Sequence, residues 1–237
     1  MTPLITFHHI LKTLNYIQKI KCFVQVGSHD GVMHDPLREF ILKNNWRGIL
    51  IEPQIEMLEK CKNNYHNKEN LAFVNVAVHP IKSQITLYIA ENPKDYSHTG
   101  WASINSDRFL NTIYKNSITK LRVQAVPLMQ VIKDNKFESV DLLQIDTEGF
   151  DAEVIKMFDF DTYHPSLVQY EHIHLPNNIR ESIHKHLSSY GYFVIVKKND
   201  TFAIIKDNVT IWFILVYIYF RMYSSITSHF RNMVQKI

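Results

Sequence analysis

Cys22-Phe-Val-Gln-Val-Gly-Ser-His-Asp-Gly31 is the stretch whose reading decides the fold. Cys22 to Val26 are mostly apolar and suit a short buried strand, and the chain runs from them directly into a turn with glycine at its first and fifth positions. Asp35-Pro36 then reads as a helix start, because Asp accepts from free amides and Pro fits the first helical position; Leu37, Phe40 and Ile41 form the buried face. The order is strand, glycine turn, helix.

Outward from this unit the alternation continues. Gly48 to Ile51 is a second strand ending in Glu52-Pro53, followed by a helix from about Gln54 to Asn63, and Leu71 to Val78 is a third strand. Val140 to Ile145 ends in Asp146-Thr-Glu-Gly149, and Leu167 to Tyr170 ends in Glu171-His-Ile-His174. Ile179, Ile183 and Leu187 stripe a helix that Gly191 stops, and residues 192–196 and 201–205 pair as a hairpin across Lys197 to Asp200. Upstream, Phe7, Ile10, Leu11, Leu14 and Gln18 lie on one side of a helix over residues 4–19. The strands are apolar enough to be covered on both faces. The expected fold is therefore α/β: an open, doubly wound, mostly parallel sheet with a C-terminal antiparallel hairpin, its ligands gathering at the carboxyl ends of the strands.

The chain divides into an N-terminal helix (1–19), one domain (20–206) and a tail (207–237). Between Pro80 and Leu128 the pattern loosens around Ile85–Ile89, a polar loop at Trp101 and Leu121–Val126, which reads as an insertion over the active edge and an expected acceptor lid. In the tail, residues 211–220 are continuously apolar, no acidic residue follows Asp207, and Arg221, Arg231 and Lys236 come after the run. It is shorter than the roughly 20 residues a spanning helix needs. Expected roles are packing on the core or on a second copy of the chain, or resting on an anionic membrane surface.

The 237 residues allow one well-buried core, and 46% hydrophobic with 21% charged residues excludes wholesale disorder. A net charge of +3, from 26 Lys+Arg against 23 Asp+Glu, argues against a nucleic-acid binder. Cys22 and Cys61 lack metal-ligand spacing, and the N-terminus lacks an export pattern; the expected location is a reducing, cytoplasmic one, with peripheral membrane contact as an option for the tail.

Two nucleotide-binding classes use this strand, turn and helix. A dinucleotide site needs three glycines, one admitting a pyrophosphate, and the missing middle glycine disfavours an NAD-type oxidoreductase. S-adenosylmethionine has no phosphate, so a turn holding only Gly27 and Gly31, with Ser28, His29 and Asp30 between them, suffices. Glu52, followed by Pro53, stands roughly 20 to 25 residues after the turn, placed for both ribose hydroxyls. Asn75 to Ala77 would flank the adenine. Asp146 and Glu148, then Glu171 and His172, reach the same rim. Methyl transfer to a hydroxyl needs alignment and a proton acceptor. His172 is the general-base candidate, with a carboxylate to orient it; the alternative, a divalent metal held by Asp146, Glu171 and His172, is not favoured.

These residues resemble the FkbM family of S-adenosylmethionine-dependent methyltransferases. The resemblance rests on Phe23–Gly31 with Asp35-Pro36, on Trp46-Arg-Gly-Ile-Leu-Ile-Glu-Pro53, on Asp141-Leu-Leu-Gln-Ile-Asp-Thr-Glu-Gly-Phe-Asp151, and on Tyr170-Glu-His-Ile-His-Leu175, and it spans roughly residues 20–206. It implies a class I methyltransferase (Rossmann-like) sheet of seven strands, mostly O-methylation, and acceptors that are often sugars or other small hydroxyl compounds. It also implies cofactor-binding roles for the Gly27–Gly31 turn, Glu52 and Asp146; His29 stands where relatives often carry Asn. A non-catalytic S-adenosylmethionine-binding or interaction module is the alternative.

Overall fold

The computed structural model describes residues 6–18 and 20–206. Its elements run α1 (Phe7–Gln18), β1 (Cys22–Val26), α2 (Arg38–Lys43), β2 (Arg47–Ile51), α3 (Ile55–Asn64), β3 (Leu71–Val74), β4 (Ala77–Val78), β5 (Gln84–Ala90), two short 3₁₀ turns, β6 (Ile118–Val126), α4 (Leu128–Asp134), β7 (Leu142–Ile145), α5 (Asp151–Met157), β8 (Leu167–Glu171), α6 (Asn177–Ser189), β9 (Tyr192–Val196) and β10 (Asp200–Ile205).

Seven strands form one sheet in the order β3-β2-β1-β7-β8-β10-β9. The pairings from β3 through β8 are parallel, whereas β10 is antiparallel to both β8 and β9. This is the expected doubly wound α/β sheet with its reversed hairpin. The chain order turns back at β1, which pairs with β2 on one side and β7 on the other, so a crevice opens at the carboxyl ends of β1 and β7. Alternation along the strands feeds two cores. Phe23, Leu50, Leu142, Leu167 and Phe202 pack with Ile10, Leu11 and Leu14 of α1 and with Phe40 and Ile41 of α2. Val24, Ile49, Leu143, Val168 and Ala203 pack on the other face with Val131, Ile155 and Ile183 of α4 to α6.

Two expectations are corrected. The strand read over Leu71 to Val78 is interrupted: β3 belongs to the large sheet, whereas β4 pairs with β6 in a separate three-stranded sheet, β4-β6-β5. Asn75 causes the break, its side chain donating to the carbonyls of Glu52 and Pro53 at 2.9 and 3.0 Å. Helix α2 starts at Arg38, not at Pro36, although Asp35 Oδ1 does accept from the Leu37 amide at 2.8 Å. Asp35 is held there by Gln25 and the Tyr65 hydroxyl, which tie it into the core. Among the described residues no helix is long and apolar enough to cross a membrane; the tail read over 207–237 lies outside them.

Candidate functional site

The turn after β1 is fixed by its neighbours. The amides of Gly27 and Ser28 both donate to the Ile51 carbonyl, at 2.9 and 3.1 Å, and the Asp146 amide donates to Val26 at 2.9 Å. Gly27 has φ +85°, and a Cβ there would lie 1.8 Å from the Asp146 carbonyl oxygen. Neither the conformation nor the space admits a side chain. Gly27→Ala is therefore expected to cost more than about 3 kcal/mol, read by urea denaturation, because both backbone strain and overpacking oppose it; a variant as stable as the parent would show that the turn is not held this way.

Glu52 closes the turn from the neighbouring strand. Only 4% exposed, it accepts from the His29 amide through Oε2 and from the Gln54 amide through Oε1, both at 2.9 Å. Burial pushes its carboxyl up to about 7, against the lowering effect of those two hydrogen bonds. Glu52 lines a cavity of about 620 Å³ that follows the strand ends from β2 across β1, β7 and β8 to β10. That volume is in the range of small-molecule sites, roughly 300–1,000 Å³.

Of the residues expected to bind cofactor, Gly27, Ser28, His29, Glu52, Pro53, Ala77 and Asp146 stand on the cavity wall. Asp30, Gly31 and Asn75 do not. Asp30 accepts from the Val32 and Met33 amides and from the Tyr96 hydroxyl; burial alone would raise its carboxyl, and these bonds hold it below the usual range. Gly31, φ +68°, makes room for Tyr65 and Cys61 instead. The insertion forms one side of the cavity through Leu87, Trp101, Ile104 and Arg108. It is tied to the turn: Tyr96 donates to Asp30, Thr99 Oγ1 lies 2.8 Å from His29 Nε2, and Gln54 Nε2 donates to the Thr99 carbonyl.

The opposite end of the cavity is acidic. Asp146 is exposed on the cavity wall; its enclosure among the surrounding protein atoms, with Glu171, Asp151, Glu148 and Asp200 nearby, raises its carboxyl above the usual carboxylate range. Glu171 rises to about 8, first through burial and then through Glu148, Asp151 and Asp200, with Arg108 opposing. Asp151, fully buried, rises to about 6 through burial while Thr147, Gly149 and the Glu171 amide hydrogen-bond to it.

His172 is corrected as the base candidate. It is 3% exposed, off the cavity wall, with its amide on the Asn199 carbonyl and Nδ1 2.9 Å from Thr201 Oγ1. His174 is on the wall instead, with Nε2 3.2 Å from Glu148 Oε2 and 3.4 Å from Glu171 Oε2; Arg108 Nε donates to the same Glu148 oxygen at 2.8 Å. The metal set Asp146, Glu171 and His172 is likewise not brought together. The group with ligand-like spacing among the described residues is Glu148, Glu171 and His174, and Arg108 already contributes a positive charge to it.

Sequence comparison gives the family of the chain. The Methyltransferase FkbM domain matches residues 25–194, most of the chain. The chain belongs to the FkbM methyltransferase family. No curated protein matches it in sequence. Among solved structures it is similar to precorrin-6y C5,15-methyltransferase from Geobacter metallireducens (10% identity, 86% of this chain and 89% of that chain, TM-score 0.45). It is also similar to a ribosomal protein L11 methylase from Lactobacillus delbrueckii subsp. bulgaricus (9%, 83% and 74%, 0.42) and to the human methyltransferase 10 domain containing protein (11%, 86% and 83%, 0.41).

FkbM proteins are S-adenosylmethionine-dependent methyltransferases, and the cavity of this member fits that cofactor. Glu52 supplies carboxylate oxygens beside the turn, and apolar Val76, Ala77, Val78 and Phe150 provide walls for a base. The crowded carboxyls around Asp146 favour a cationic ligand, since a positive charge offsets their mutual repulsion. When bound, S-adenosylmethionine supplies an electrophilic methyl group on a positively charged sulfur.

His174 and Arg108 had no assigned role in the sequence reading. Strand alternation counts against His172, because Gln169 and Glu171 leave one face of β8 and His172 the other; His174 lies beyond the end of the strand, where alternation does not place it. Arg108 is 40 residues from Glu148 within an insertion, and no local pattern connects them.

Proposed function

We propose that this FkbM methyltransferase transfers the methyl group to a hydroxyl oxygen of a small acceptor, of sugar or glycan type. One observation carries the reading: a closely spaced set of proton acceptors, His174 with its Nε2 3.2 Å from Glu148 Oε2 and 3.4 Å from Glu171 Oε2, stands on the cavity wall beside Asp146, at the end of the cavity away from Glu52. A hydroxyl is weakly acidic, and its attack on a methyl carbon is aided by a base within hydrogen-bond reach. His174 is the base through Nδ1, which takes the hydroxyl proton, and Glu148 and Glu171, which face Nε2, orient the ring and stabilise its cation after proton uptake. Arg108 holds Glu148 in position from the insertion. With the cofactor bound, Asp146 would hold the end that carries the positive charge and Glu52 would hold the ribose hydroxyls, so that donor and acceptor would be aligned between them. The insertion, tied to the turn by Tyr96 and Thr99, forms one wall beside the reacting groups.

The test uses isotopically labelled S-adenosylmethionine with a panel of neutral glycosides and small polyols, products being read by mass spectrometry. His174→Gln is expected to lower the turnover rate by about 10²- to 10⁴-fold while leaving S-adenosylhomocysteine affinity unchanged. An undiminished rate removes His174 from the chemistry. Cofactor binding by the parent protein with no product across the panel favours a non-catalytic binding module instead.

A further inference from the structure

Three glutamines cross the cavity floor in a row. Gln25, Gln144 and Gln169 stand opposite one another in the register of β1, β7 and β8, so their side chains leave the same face of the sheet about 5 Å apart. Each is at most 6% exposed, each lines the cavity, and Oε1 of each has no hydrogen-bond partner among the described residues. Carboxylates fix the amide orientation at two of them. Gln25 Nε2 donates to Asp35 Oδ1 at 3.0 Å, and Gln169 Nε2 donates to Asp200 Oδ1 at 2.9 Å. Turning either amide over would set oxygen against oxygen. At the far end of the row Asn199 Oδ1, on a wall residue, is also a buried acceptor without a hydrogen-bond partner among the described residues.

Buried polar atoms in folded proteins are nearly always paired, so four unpaired acceptors along one wall define the chemistry that this wall lacks: hydrogen-bond donors. Charge points the same way. Among the described residues the cavity wall carries six carboxyls, Asp35, Glu52, Asp146, Glu148, Glu171 and Asp200, and a single Arg or Lys, Arg108, which Glu148 engages. The row also runs away from the ribose end, because Glu52 follows β2 while Gln144 and Gln169 lie on the opposite side of β1.

We propose that the row from Gln144 through Gln169 to Asn199 is an acceptor-reading subsite that takes neutral or cationic groups rich in hydrogen-bond donors and rejects anionic ones. Each amide oxygen receives a hydroxyl or ammonium hydrogen next to the reacting hydroxyl. A carboxylate or phosphate there meets acceptors and like charge. The proposal rests on the reading of this cavity as a cofactor and hydroxyl-acceptor site.

The test is performed on the full chain with S-adenosylhomocysteine bound, using saturation-transfer NMR with methyl glucoside, methyl glucosaminide and methyl glucuronide as probes. The neutral and amino glycosides are expected to bind, and the glucuronide at least about tenfold more weakly. Gln144→Met and Gln169→Met are each expected to weaken the bound glycosides by about tenfold with S-adenosylhomocysteine affinity unchanged. Failure of the parent protein to bind S-adenosylhomocysteine overturns the cofactor reading, and this proposal with it. With that nucleoside bound, equal or tighter binding of the glucuronide overturns the subsite alone, as does absence of binding by both other glycosides. Glycoside binding unchanged in the variants, with a raised melting temperature, shows a row paired by water only and overturns it too. If a variant fails to fold, the comparison of the three probes on the parent protein still decides.

Discussion

Glu52→Ala is expected to abolish calorimetric binding of S-adenosylhomocysteine at concentrations that saturate the parent protein. Hydrogen bonds to a charged group contribute about 1.5–3 kcal/mol each, so losing two ribose contacts weakens binding at least about a hundredfold. The same change leaves the His29 and Gln54 amides without their acceptor, and a fall in stability accompanies it. Glu52→Gln separates the two effects. It keeps the shape and one acceptor oxygen, so circular dichroism is expected to show an intact fold with binding still weakened. Unchanged affinity in Glu52→Gln would remove the carboxylate from cofactor recognition.

Raising the pH from 7 to 9 is expected to destabilise the cofactor-free protein. Glu52 and Glu171 have folded-state values raised to about 7 and about 8, and Asp146 is raised as well. In the unfolded chain these groups are already ionised at pH 7, so between pH 7 and 9 the native state releases protons that the unfolded state does not hold. Stability then falls with pH. The histidines with lowered values, His29, His79, His172, His184 and His186, oppose this trend only at lower pH, because above 7 they are largely neutral in both states. Glu52 and Glu171 alone account for a loss on the order of 2 kcal/mol over that interval. Urea denaturation at the two pH values reads it directly. S-adenosylmethionine, with its positive sulfur, is expected to reduce the decline more than S-adenosylhomocysteine does. A cofactor-free stability that is flat or rises from pH 7 to 9 would show that the acidic wall is not crowded as described.

The parts of this account that were legible in the sequence are those written in short spacings. Gly27 opens the turn after β1, Glu52 ends the next strand, and Asp146 ends another, so strand order and the carboxyl-end rule bring these three to one crevice. What was not legible depends on long-range contacts or on side-chain parity. Leu71 to Val78 looks like one strand because the run is largely apolar, and only the reach of Asn75 back to Glu52 and Pro53 shows why it breaks. His172 and His174 both follow β8, but the first is drawn into the hairpin by Asn199 and Thr201 while the second meets Glu148 across the cavity. The glutamine row appears only once β1, β7 and β8 are set side by side in register.

A crystal structure with S-adenosylhomocysteine tests the central claim most directly. The ribose hydroxyls are expected within about 3 Å of the Glu52 carboxylate, with the amino-acid portion over the Gly27–Gly31 turn and the sulfur facing Asp146. A nucleoside bound elsewhere, or Glu52 still paired only with the His29 and Gln54 amides while the ribose lies out of reach, would contradict it.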